Sequence, residues 1–211
     1  MVKAILVALA ITSIALLGAN PARATVLKFD QLAPEGAVPN GYGGFNWGNF
    51  QFLNGVNFDL NPSGYQAGVV SPNNVAYNAD AFPAGVSING ATQFNFVGAY
   101  LTAAWNDDLS VRIQGFSIAA PVYDTTVILS ATTPTFYTLN FANVDEVLFT
   151  SFGGTQHFGY EGTGLQFAMD DFTFTLVPEP SSLLLGFLGL AALAFVGAGA
   201  RHSGRRAKSL R

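Results

Sequence analysis

Asp171-Phe172-Thr173-Phe174-Thr175-Leu176 alternates without a break: Phe172, Phe174 and Leu176 fall on one face of an extended chain, Asp171, Thr173 and Thr175 on the other. Successive side chains of a strand point to opposite sides of its sheet, so a segment like this buries one face and wets the other. Shorter versions of the pattern lie upstream, in Ser110-Val111-Arg112-Ile113-Gln114, Thr126-Val127-Ile128-Leu129, Phe136–Phe141 and Val147-Leu148-Phe149. Phe94–Thr102 runs β-formers and glycine together. Turn formers separate these runs: Asn54-Gly55, Asn61-Pro62-Ser63-Gly64, Asn89-Gly90, Asn106-Asp107-Asp108 and Gly153-Gly154. Between Thr25 and Val177 no segment sustains a capped helical period. Short strands punctuated by such turns predict an all-β fold, a jelly-roll-like β-sandwich over residues 25–177. Phenylalanine, 19 in the chain, is the filling expected between the sheets.

Both ends of the chain read differently. Lys3, the uncharged apolar run Ala4–Leu17 and the small residues of Ala22-Arg23-Ala24 have the order of a secretory signal peptide, residues 1–24, cut after Ala24. The run holds 14 residues. At ~1.5 Å per helical residue it reaches about 21 Å, short of a ~30 Å hydrocarbon core, and Gly18 and Pro21 follow it. Near the other end, 183–200 is a stretch of 18 residues without a charge, long enough for a transmembrane helix. Arg201, Arg205, Arg206, Lys208 and Arg211 follow, and a basic cluster of this kind stays on the cytoplasmic side, leaving residues 25–177 outside. The sandwich is thus expected between an N-terminal signal helix and a C-terminal membrane helix.

Pro178-Glu179-Pro180, then a glycine-spotted apolar helix, then terminal arginines, in that order over residues 178–211, resembles the PEP-CTERM sorting signal. The resemblance implies processing at Pro178, Glu179 and Pro180 by an exosortase. It also implies a transient stay in the inner membrane, then release to the cell surface or extracellular matrix of an exopolysaccharide-making bacterium. The motif makes physical sense as a protease site: two prolines lack amide donors and hold the segment extended.

The net charge of −4 averages unlike parts. Residues 25–177 contain twelve acids against two bases, Lys28 and Arg112, a net of −10. Such a domain repels phosphate backbones, which argues against nucleic acid as a partner. The chain has no cysteine, so disulfides, thiolate catalysis and zinc–thiolate sites are excluded.

Candidate chemistry is sparse. The only histidine between the two ends, His157, sits in a glycine-rich stretch, and no Gly-x-Ser-x-Gly surrounds Ser117 or Ser151, so a serine triad is not expected. A glycoside hydrolase would need two facing carboxylates. Neighbouring acids on a strand point apart, so Asp107-Asp108, Asp145-Glu146 and Asp170-Asp171 do not make such dyads by themselves. Catalytic residues are therefore assigned to none. Terminal strands of sandwiches commonly pair, which would bring Asp30 to Asp170 or Asp171; close carboxylates repel unless a hard cation such as calcium lies between them. Asn40–Phe50 mixes aromatics, asparagines and glycines, and Tyr42 and Trp47 are candidate stacking surfaces for sugar rings, against the alternative that Trp47 is core. The leading expectation is a surface module for adhesion or carbohydrate binding, associated with exopolysaccharide. A purely structural matrix component is the alternative, and a hydrolase ranks behind both.

Overall fold

The computed structural model describes residues 23–33, 35–88 and 93–177. Residues 1–22 of the signal segment, Pro178–Pro180, the span 183–200 and the Asn89-Gly90 turn lie outside the described residues. Among the described residues no helix is long and apolar enough to cross a membrane.

The alternating segment that decides the fold is the C-terminal half of β14 (Phe167–Leu176), a central strand. Phe172 and Phe174 are buried as the alternation requires, whereas Leu176, at the strand's end, is half exposed. On one side β14 pairs with β7 (Phe94–Ala103), and β11 (Thr135–Val144) pairs with β7 beyond it. On the other side lie β5 (Asn74–Asn78), β4 (Phe50–Asn54) and β2 (Gly36–Ala37). The short β1 (Thr25–Leu27) fills the remaining edge of β14, with Thr25 opposite Phe174 and Leu27 opposite Phe172. The expected pairing of the first and last strands is therefore present. Because Thr25 faces Phe174 and the Val177 amide donates to the Gln93 carbonyl at 3.0 Å, the domain's two ends meet at one end of one sheet.

The second sheet is antiparallel throughout: β10 (Ala120–Leu129), β9 (Leu109–Ser117), β12 (Glu146–Phe152), β6 (Ala84–Ile88) and β3 (Phe45–Gly48), in that order. A third, two-stranded ribbon pairs β8 (Asn106–Asp107) with β13 (Thr155–Gln156). That ribbon replaces the simple turn that Asn106-Asp107-Asp108 suggested. Asp108 does turn, at φ 55°, but the two residues before it are paired.

Between the large sheets the filling is aromatic. Phe45, Phe50, Phe94, Phe96, Phe149, Phe167 and Phe172 are fully buried. Most of their contacts are edge-to-face, as between Phe45 and Phe174 at 4.7 Å, the arrangement favoured by ring quadrupoles. Phe96 and Phe172 stack instead, at 4.7 Å and 17°. The alternation of β4, β5 and β14 also turns Leu53, Val75 and Ala168 to the outer face of the first sheet, where Tyr65 and Trp105 join them in a smaller cluster. Tyr65 belongs to α1 (Gly64–Ala67), one turn begun by Ser63, whose Oγ accepts from the Gln66 amide at 3.3 Å. A Cβ on Gly64 would lie 1.7 Å from the Ala103 carbonyl oxygen, so only glycine lets this turn sit against β7.

Candidate functional site: a carboxylate and amide cleft

The chain after β1 makes an abrupt bend. Phe29 adopts φ 64°, a region that costs a bulky L-residue about 1–2 kcal/mol. Its ring is completely buried, 5.5 Å from Trp47, and its amide donates to the Tyr42 hydroxyl at 2.9 Å. These contacts hold the strained turn, so that Phe29 points inward while the next residue, Asp30, is part-exposed. The Tyr42 hydroxyl in turn donates to Gln31 Oε1 at 3.0 Å.

Asn74, at the start of β5, clamps the bend from the other side. Its side-chain amide donates to the carbonyls of Phe29 at 3.0 Å and Leu32 at 3.1 Å, and its backbone amide donates to Asp30 Oδ1 at 3.1 Å. Further along, Glu35 Oε1 accepts from the Asn54 amide at 2.8 Å, tying the segment to the end of β4. Asn73, just before β5, is a second left-handed residue at φ 87°.

These contacts frame a cleft of about 470 Å³. Asp30 and Glu35 line it with carboxylates, and Asn54, Asn73 and Asn74 with amides. Leu32, Ala33 and Phe52 supply its apolar part. The cleft thus combines fixed acceptors and donors with an apolar wall, the mix found in sites for small polar ligands. Two non-glycine residues in the left-handed region, Phe29 and Asn73, stand at its margin, and strain of this kind gathers at binding sites.

Of the residues singled out from sequence, Asp30 lines this cleft. Tyr42 stands behind it, half-buried, its hydroxyl taken up by Phe29 and Gln31. Burial raises the Tyr42 pKa above its ordinary value; the Phe29 bond pulls it back, and the charges of Asp30 and Asp170 raise it further. Trp47 requires a correction: it is core, not a stacking surface. It is 6% exposed, its indole N–H donates to the Tyr42 carbonyl at 2.9 Å, and the rings of Phe29, Phe45, Phe50 and Phe172 surround it. In β3 the alternation that buries Phe45 must bury Trp47 as well.

The calcium expectation is corrected at Asp170. This carboxylate is fully buried, and its oxygens accept four protein donors. The Val70 and Ser71 amides bind Oδ2 at 2.9 and 2.8 Å; the Ser71 hydroxyl and the Asp171 amide bind Oδ1 at 2.9 and 2.7 Å. Asp170 is therefore a structural anchor for the Val70–Ser71 loop, with its lone pairs already used. Asp171 sits in a bulge at φ 50°, and its buried Oδ1 has no hydrogen-bond partner. Among the described residues no three of His, Cys, Asp and Glu gather as a metal site.

His157 was read from sequence as isolated, yet its Nδ1 lies 2.7 Å from Asp107 Oδ2, and Tyr160 packs 4.4 Å from its ring. The β8–β13 pairing creates this contact across 50 residues of sequence, and no local signal announces it. The serines considered with it are engaged elsewhere: Ser151 Oγ accepts from Asn78 at 3.1 Å and Ser117 Oγ from Gln93 at 2.9 Å.

Comparison with known proteins adds to this geometry. No curated protein matches the chain. Among solved structures, the chain is similar to a DUF4465 family protein from Bacteroides caccae ATCC 43185, with a TM-score of 0.51 at 12% identity over 77% of this chain and 96% of that one. This likeness shows a shared fold. A DUF4465 family protein from Bacteroides ovatus ATCC 8483 superposes with a TM-score of 0.45 at 10% identity, covering 75% and 90% of the two chains. A CBM51 from Clostridium perfringens GH95, solved with methyl-galactose, reaches 0.34 at 13% identity, covering 72% and 100%. Residues 176–206 match the PEP-CTERM protein-sorting motif, which implies processing by an exosortase. The chain is thus an exported β-sandwich protein that carries a PEP-CTERM signal for sorting to the cell surface.

Proposed function

We propose that this protein is a non-catalytic surface module, associated with exopolysaccharide, that binds carbohydrate in the cleft bounded by Asp30, Glu35 and the asparagines of β4 and β5. One observation carries the reading: two carboxylates that each accept a backbone N–H stand with asparagine side chains beside an apolar wall, on a bend strained at Phe29. Sugar hydroxyls take hydrogen bonds from amides and give them to carboxylates, while the ring's C–H face lies against apolar side chains. Because Asp30 and Glu35 each accept a backbone N–H, they act as fixed acceptors.

Affinity electrophoresis in gels containing the host exopolysaccharide tests this. Asp30→Asn keeps an oxygen for the Asn74 amide but loses the carboxylate. It is expected to reduce retardation by roughly tenfold in affinity, about 1.4 kcal/mol, while Tm moves by no more than a few degrees. Unretarded wild-type protein in every such gel would favour a purely structural matrix role.

Sorting is tested separately. Replacing Pro178, Glu179 and Pro180 by alanine is expected to leave the full-length precursor in the inner membrane, read by immunoblotting of membrane and surface fractions. Normal maturation of that variant would contradict the assignment of the processing site to these three residues.

A further inference from the structure

Resting on the reading of the cleft as a carbohydrate site, we infer that it selects uncharged glycans and rejects polyuronates and sulfated chains. The ground is the charge of its wall. Asp30 and Glu35 both face the cleft, and among the described residues its lining holds no lysine or arginine. Neither base of the domain is among the lining residues. Arg112, on β9, donates from Nε to Asp124 Oδ1 at 2.9 Å in an exposed pair, and Lys28 is exposed outside the lining.

A uronate or sulfate brings acceptors and negative charge to a surface whose carboxylates need donors. It would meet like charge with no cation to offset it, and like charges brought together disfavour the wrong partner. A neutral sugar brings hydroxyls, which donate to Asp30 and Glu35 and accept from the side chains of Asn54 and Asn73, the Asn74 amide being spent on the bend. Asp30 is held by the Asn74 amide and Glu35 by the Asn54 amide, so the negative wall is built into the bend. The selection is therefore local. The net charge of −10 over residues 25–177 repels polyanions as well, and the test must separate the two effects.

The test is affinity electrophoresis of the protein recovered from the cell envelope, at low salt with EDTA, in gels containing dextran, mannan or alginate. Retardation is expected in at least one neutral gel, with affinity for alginate at least about tenfold weaker. Glu35→Gln removes one of many charges, so an effect spread over the whole domain barely changes. A local effect instead raises alginate affinity relative to the neutral glycan by about threefold or more. A Glu35→Gln protein with an unchanged alginate-to-neutral ratio, or wild type retained by alginate as strongly as by neutral polymer, overturns the inference and leaves the binding reading standing. Free migration in all three gels and in the host polysaccharide overturns the binding reading itself.

Discussion

Asp170→Asn is expected to destabilise the protein by about 1–3 kcal/mol, a fall in Tm of roughly 5 °C. All four groups around the carboxylate are donors: three backbone amides and the Ser71 hydroxyl. Asparagine has the same shape, but its NH2 must face two of them; even at the Oδ1 side, where the Ser71 hydroxyl can turn to accept, the Asp171 amide is left opposed and unpaired. Burial pushes the Asp170 pKa from 3.8 up to about 6, against the opposite pull of those hydrogen bonds. The folded chain therefore takes up this proton more readily than the unfolded chain. The resulting stability is complete below about pH 3.8 and lost as pH rises through about 6. Thermal melts at pH 5 and pH 7 check both statements. Wild type is expected to gain more on acidification than Asp170→Asn, and equal gains would contradict the pH assignment. A variant melting within 2 °C of wild type at pH 7 would contradict the anchoring role.

Trp47→Ala is expected to cost more, about 3–5 kcal/mol, for a different reason. Its indole fills the space between Phe29, Phe50 and Phe172, at 5.5, 5.5 and 5.6 Å, and its removal leaves a cavity among them. Loss of the indole also frees the Tyr42 carbonyl and loosens the support beneath the Phe29 bend. Guanidinium unfolding of Trp47→Ala and Trp47→Phe measures this, the phenylalanine variant keeping most of the ring volume and most of the stability. Had Trp47 been a ligand platform, alanine would leave the midpoint nearly unchanged.

Strands were legible where alternation was long, as at Phe172–Thr175, and where apolar runs such as Val147–Phe149 met clear turns. Apart from the pairing of the first and last strands, their partners were not, because register depends on contacts far apart in sequence: β14 also pairs with β7 and β5, and nothing within Phe167–Leu176 names either. Alternation failed locally where the backbone leaves the strand region. Asp171 at φ 50° breaks the period, so the buried Asp170 and the buried Phe172 flank a part-exposed bulge. Asp30 was found from sequence as part of the first strand, which ends at Leu27, and for a metal rather than a cleft. Glu35, Asn54, Asn73 and Asn74 carried no signal, since an Asn-Gly step or an isolated acid reads as an ordinary turn. What unites them is the left-handed bend at Phe29, a conformation no propensity assigns to phenylalanine.

The central claim is that the cleft beside Asp30 is where glycan binds, and an amide-detected NMR titration tests it directly. With a soluble oligosaccharide of the polymer that retards the protein, the amide signals of Asp30, Asn54, Asn73 and Asn74 are expected to shift and saturate together. Shifts centred instead on the Arg112–Asp124 face or on the loop around His157, with the cleft signals unmoved, would contradict the account.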